Sequence, residues 1–238
     1  FNTIRLTVSQ GLALNLGTTE LYKAVLEQFC AGPDPLCNVV TSLVKPTYPV
    51  FINNTNTGID GILCVGCAIN DVANVINDDT EDFATIVLTA GVGVSGSISV
   101  KDGISDYGAG AFAGFEIENT SLLYVNLLNG ITIRTYLNGT LQETKTGVNN
   151  ILTVESSIFP DDGKKTVGFV TTLPFDEVRI SVENIVGVNT GETKVFRSVI
   201  KNLCSVDLEC DETYFLSEPT FPVIINSDQT GIFGVACV

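Results

Sequence analysis

The stretch ITIRTYLNGTLQET, from Ile131 to Thr144, alternates apolar and polar residues on either side of Asn138-Gly139. Asn-Gly supplies the two positive-φ residues that a type I′ turn requires, so the stretch predicts a tight β-hairpin with Asn138 and Gly139 at its tip. Similar short runs rich in Thr, Val, Ile and Phe recur at GSISVKD (96–102), AGFEIEN (113–119), KTVGFVTT (165–172) and DEVRISV (176–182). Gly, Asn and Asp turn residues separate them at intervals of about eight to twelve residues. The pattern predicts an all-β chain, an antiparallel β-sandwich of jelly-roll or Ig-like type. One segment is ambiguous. Leu21, Tyr22, Val25, Leu26 and Phe29 fit a helical face as well as a strand, and the β-branched Val195, Val199 and Ile200 at the matching positions decide for strand.

Those matching positions belong to a long internal repeat. Phe1–Cys30 aligns with Phe175–Cys204 at an offset of 174, and Cys37–Val65 with Cys210–Val238 at an offset of 173, with 22 identities in the 59 aligned positions. Within it, PTYPVFINNTNTGIDGILCV (46–65) returns as PTFPVIINSDQTGIFGVACV (219–238). A period of this length gives each unit its own core, unlike the short solenoid repeats that need neighbours to bury one. The expected organisation is a tandem array: 1–37 the C-terminal part of a preceding module, 38–66 a joint, 67–204 a complete sandwich and 205–238 the next joint. Pro46 and Pro49, echoed by Pro219 and Pro222, favour an extended or sheet-edge course for the joint. The other reading of 38–66 is an ordinary long connection inside one domain. Phe1–Cys30 is expected to share the backbone of Phe175–Cys204; without the preceding part of its own module, its apolar face would be exposed, borrow a neighbour's sheet or fray.

Composition narrows the function. Twenty-seven acidic against twelve basic residues give a formal charge of −15, which repels nucleic acid and anionic membrane surfaces. No apolar run reaches the length of a membrane span, and any export signal is expected outside this stretch. His is absent, which excludes Ser-His-Asp and Cys-His catalysis and His-based zinc or haem sites. Seven cysteines remain, Cys30, Cys37, Cys64, Cys67, Cys204, Cys210 and Cys237, and they predict disulfides and oxidising, extracellular surroundings, with structural zinc or a redox CVGC dithiol as lesser readings. Two pairings fit the spacing. The local one joins Cys30 to Cys37, Cys64 to Cys67 and Cys204 to Cys210, leaving Cys237 unpaired. The nested one joins Cys30 to Cys67, Cys37 to Cys64 and Cys210 to Cys237, leaving Cys204 free. The counterpart of Cys67 would fall two residues past Val238, so the parent chain is expected to continue with a Gly-Cys-like pair.

Asn77, Asp78, Asp79, Glu81 and Asp82 place several hard oxygen donors within six residues. They read either as a calcium loop, calcium being the one candidate cofactor, or as a solvated acidic turn before a strand. Asp161-Asp162-Gly163 reads as a plain turn, and Asp176 and Glu177, facing Asn2 and Thr3 in the other copy, as no site. Tyr107, Tyr124 and Tyr136 are available to stack on a sugar but read as packing residues, and Asn53, Asn119 and Asn138 as polar turn residues.

The run NVINDDTEDFATIVLTAGVGVSGSISVKD, then GAGAFAGFEIEN, NLLNGITIRTYLNGTLQET and KKTVGFVTTLPFDEVRISVENIVGVNTGETKVF, resembles the repeated module of the giant type IX secreted surface adhesins of gliding Bacteroidetes, the SprB-like adhesins. That resemblance implies a non-enzymatic building block of a long cell-surface adhesin or filament that serves attachment and gliding motility. Its implied partners are neighbouring modules of the same chain, an external surface or polysaccharide, and the type IX secretion and gliding machinery. The alternative is a carbohydrate-binding module, calcium-dependent or not, of a polysaccharide-capturing protein. A carboxylate glycosidase would need two acids about 5–10 Å apart in a cleft.

Overall fold

A computed structural model describes residues 3–7, 18, 20–26, 28–61, 64–91, 93–119, 128–154, 163–183, 192–204, 212–217, 220, 221 and 223. The predicted hairpin is present. Ile131–Leu137 pairs with Thr140–Thr146, and Asn138 and Gly139 turn at φ 51 and 77, both left-handed as the type I′ turn demands. The alternating runs around it are strands of two antiparallel sheets, numbered here in chain order.

The first sheet runs β12 (Leu152–Val154), β13 (Lys165–Val170), β9 (Phe112–Glu118), β15 (Glu192–Lys201), β6 (Ala84–Val87) and β5 (Ala68–Asn70), with β1 (Val40–Ser42) beside the far end of β15. The second runs β11 (Thr140–Thr146), β10 (Ile131–Leu137), β14 (Glu177–Glu183), β8 (Ser95–Asp102) and β2 (Val50–Ile52), with β3 (Gly58–Asp60) also on β8. A separate two-stranded pair, β4 (Cys64–Val65) and β7 (Ala90–Gly91), lies beside them. From β8 onward the chain crosses between sheets at most connections, as in a jelly roll. Period-two alternation then sends Ile98, Ile133 and Ile180 of the second sheet against Phe115, Ile117 and Val195 of the first, and all six are fully buried. Each such side chain stabilises the fold by about 1.5–3 kcal/mol relative to its exposed state.

The segment expected as a joint, 38–66, is part of this sandwich. It supplies β1 to one sheet, crosses at Pro46 and Pro49, and supplies β2 and β3 to the edge of β8 in the other. Proline cannot donate to a ladder, and both prolines fall between strands, where no donor is needed.

Disulfide pairing is corrected by the same geometry. β1 runs antiparallel to the end of β15, with Val40 opposite Lys201, which sets Cys37 beside Cys204 although 167 residues separate them. They form a bridge with a Cα–Cα distance of 5.4 Å. This replaces the Cys30–Cys37 and Cys204–Cys210 pairs of the local scheme and excludes the nested one. Cys64–Cys67 forms as the local scheme expects, with Cα–Cα 5.7 Å. Cys30 is an exposed free thiol. Cys210 and Cys237 lie outside the described residues.

The described residues of Phe1–Cys30 do not share the backbone of their repeat partners. They form no strand and are exposed, whereas Phe175–Cys204 contains β14 and β15 at the centres of the two sheets. Six repeat positions show the contrast: Ile4, Leu6, Leu21, Tyr22, Val25 and Leu26 are exposed, while Val178, Ile180, Val195, Phe196, Val199 and Ile200 are buried. Tyr22 is 87% exposed and Phe196 3%. In this sandwich β14 and β15 hold those interior places, each paired on both sides. Accordingly, Ile200→Ala should cost about 2–5 kcal/mol in a urea melt, whereas Leu26→Ala, at the same repeat position, should change stability by no more than about 0.5 kcal/mol.

Candidate functional site

The acidic loop follows a short 3-10 turn, Val72–Ile76, and precedes β6. Its side chains bond to one another and to their own backbone. Asn77 Nδ2 donates to Asp82 Oδ2 at 2.8 Å, the Asp79 N–H to Asn77 Oδ1 at 3.1 Å, and the Glu81 N–H to Asp79 Oδ1 at 2.9 Å. Asp78 is exposed. Among the described residues no group of three or more His, Cys, Asp or Glu side chains converges as a metal set.

Two protein cations occupy the loop instead. The Thr80 carbonyl accepts from Arg197 Nη2 at 2.6 Å and from Lys164 Nζ at 3.2 Å, and Lys164 also pairs with Glu81 at 3.2 Å. Arg197 is itself held in a buried ion pair with Glu116 across the β15–β9 ladder, at 2.8 Å. Of the loop carboxylates Glu81 is thus paired with Lys164, while Arg197 meets the Thr80 carbonyl.

At one end of the second sheet three carboxylates are buried side by side. Asp102 Oδ1 accepts the N–H groups of Ile104 and Ser105, and its Oδ2 accepts the Tyr107 hydroxyl at 2.8 Å. Asp176 pairs with Lys101 at 3.0 Å and accepts the Asn138 N–H of the hairpin tip. Glu177, fully buried, accepts from Asn53, Asn56 and Ser99 at 2.6–3.0 Å. Burial, reinforced by the Asp102 carboxylate, pushes the Tyr107 phenol well above its usual range, so it stays a proton donor. These acids hold loops in place and open into no described cleft.

Tyr107 and Tyr136 are buried packing residues, as the sequence indicates, and Tyr124 and Asp161-Asp162 lie outside the described residues. Asn53 is more than a turn residue, because its side chain ties the β2–β3 loop to Glu177.

The outer face of the second sheet carries a polar surface that reasoning from motifs passed over. Arg134 on β10 lies opposite Arg179 on β14, and Thr132 opposite Ser181 and Thr146. Arg134 Nη1 donates to Ser181 Oγ at 3.2 Å, and Arg179 Nη2 to Ser97 Oγ at 2.9 Å and Asp60 Oδ2 at 3.0 Å. Ser97 and Ser181 share a 2.8 Å hydrogen bond, and Arg179 Nε has no hydrogen-bond partner. The two guanidinium groups thus lie over buried hydroxyls, with the Arg179 side chain 16% exposed. The signal was present as period-two alternation in ITIRTYL and EVRISVE, which puts the arginines on one face.

Fold and surface together define a non-membrane-helical, antiparallel β-sandwich stapled by disulfides; among the described residues no helix is long and apolar enough to cross a membrane. No protein-family model matches the chain, and no curated protein matches it. Solved structures similar to it include the family 32 carbohydrate-binding module of C. perfringens NanJ in complex with galactose, at 15% identity and TM-score 0.38, covering 68% of this chain and 100% of that one. A second is CpGH89CBM32-5 from Clostridium perfringens in complex with GalNAc-β-1,3-galactose, at 14% identity and TM-score 0.36, covering 68% and 99%. A third is the family 29 carbohydrate-binding module CBM29-2, at 14% identity and TM-score 0.31, covering 68% and 90%.

Melting curves of the chain in millimolar calcium and in chelator should coincide. A rise with calcium would mean that the acidic loop rearranges around the ion, since binding to the folded state raises stability by mass action.

Proposed function

We propose that the chain is a non-enzymatic module of an extracellular tandem array that works as a structural and adhesive element. One observation carries this reading: a repeat as long as a domain, whose apolar positions are core in one copy and exposed in the other. An isolated soluble domain has no use for such a strip, whereas a chain of identical modules produces one wherever a module is parted from its neighbour. The Cys37–Cys204 and Cys64–Cys67 bridges support an oxidising location. A place on the surface of a gliding cell, with export by the type IX route, rests on the sequence resemblance. Antibodies raised against the chain should label intact, unpermeabilised cells and detect a polypeptide several times longer than the chain. Labelling only after permeabilisation would overturn the proposal.

A second reading concerns the ligand and is favoured by the Arg134–Arg179 surface: the module holds carbohydrate on the outer face of the second sheet. Guanidinium donors in a fixed fork suit vicinal hydroxyls and sugar carboxylates alike. In glycan-binding assays, the Arg134→Ala, Arg179→Ala double variant should lose at least about tenfold in affinity, a change of about 1.4 kcal/mol, while retaining the Cys37–Cys204 bridge. Equal binding by both proteins would remove this face from consideration.

A further inference from the structure

Phe1–Cys30 aligns with the segment that closes the sandwich, yet in this module the places of that segment are already taken. Its partner strands β14 and β15 are central, each with a neighbour on both sides. β14 lies between β10 and β8, and β15 between β9 and the pair β6 and β1. The six exposed apolar positions described above therefore match buried positions in both sheets, not an edge. The cysteines follow the same register. Cys30 is the repeat counterpart of Cys204, and it is the free one. Cys204 is bonded to Cys37, which precedes β1 of its own sandwich.

We infer that Phe1–Cys30 is the closing strand pair of another copy of this module, that one module runs from residue 31 to residue 204, and that Cys30 pairs with that copy's counterpart of Cys37. The span 31–204 is 174 residues, the same as the repeat offset. The joint between modules is then Ala31–Leu36, the sequence AGPDPL, in place of 38–66. This joint is packed onto the module that follows it. The Tyr48 hydroxyl donates to the Pro33 carbonyl at 3.1 Å, and Asn202 Nδ2 to the Pro35 carbonyl at 3.2 Å. The Gly32 Cα also lies against the Tyr48 ring, where even a Cβ would collide. Six residues span at most about 20 Å when extended, so consecutive modules abut, each closed by its own bridge between first and last strands. Forming the bridge at Cys30 converts two thiols to one disulfide, the two electrons and two protons passing to a low-molecular-weight disulfide such as oxidised glutathione, which becomes two thiols.

This inference rests on the tandem-array part of the proposed function and on nothing about its ligand or cellular location. The test extends the full chain at its N-terminus with a second copy of residues 31–174, so that Phe1 follows Pro174 as Phe175 does in the native order, and folds it in a glutathione couple. Non-reducing peptide maps should join Cys30 to the added copy of Cys37, and amide exchange over Leu21–Leu26 should slow by about a hundredfold or more as these residues enter a protected ladder. A Cys30 that stays open to alkylation, with unprotected amides at 21–26, would overturn the inference; so would a concentration-dependent dimer in which that strip docks on an intact module. A second variant stands apart from the folding of the added copy: the full chain with the sequence of residues 1–30 written in place of 175–204. It should melt cooperatively and bridge Cys37 to the cysteine at position 204, whereas a scrambled segment should not. Failure of the unscrambled swap would equally overturn it. These readouts are covalent and local, so they are blind to whether the array adheres to anything.

Discussion

The main-chain ladder of β15 is the constraint on which the rest of the sandwich depends. This ten-residue strand pairs with β9 along one edge and shares the other between β6 and β1. Buried backbone groups must be hydrogen-bonded, because each orphan costs about 1–3 kcal/mol, so both edges have to be covered for the strand to be central. Covering the second edge is what draws in β1 and with it Cys37. The bridge to Cys204 then closes a loop of nearly the whole module and restricts the unfolded chain accordingly. On its outer face the strand carries Arg197, which links Glu116 of β9 to Thr80 of the acidic loop. One strand thus organises the first sheet, the disulfide frame and the loop that looked most like a metal site.

Charge in this protein is spent in two different ways. The net charge of −15 leaves acidic groups in excess over basic ones. The carboxylates at the sheet end are withdrawn from the surface, with Glu177 taking three amide and hydroxyl donors and Asp102 fastening the turn after β8. On the outer face of the second sheet, side chains alternate away from the core and the guanidinium groups of Arg134 and Arg179 cover the buried Ser97 and Ser181.

The sequence by itself determined the local elements and the plan of repetition. Asn138-Gly139 between alternating arms specifies a type I′ hairpin because few other dipeptides accept two positive φ values in succession, and β-branched residues at period two specify strands because each face then packs on one side only. The repeat was legible as plain identity, but the shared backbone it led one to expect for 1–30 is not seen in the described residues, whose exposure was only one of the outcomes the sequence left open. Tertiary structure decided what lies far apart in the chain. Spacing between neighbouring cysteines favours short loops, yet the bridge is Cys37–Cys204, since it depends on β1 running antiparallel to the end of β15 rather than on proximity in sequence. Residues 38–66 read as a joint because two prolines and no clear alternation mark a poor strand, but a sheet edge tolerates such a strand where a neighbour supplies the ladder. The acidic loop read as calcium-like because sequence displays its oxygens and hides Arg197 and Lys164, which reach it from β15 and from the segment before β13. Hydrogen-bond register between strands distant in the chain fixes all three, and no local pattern of side chains encodes it.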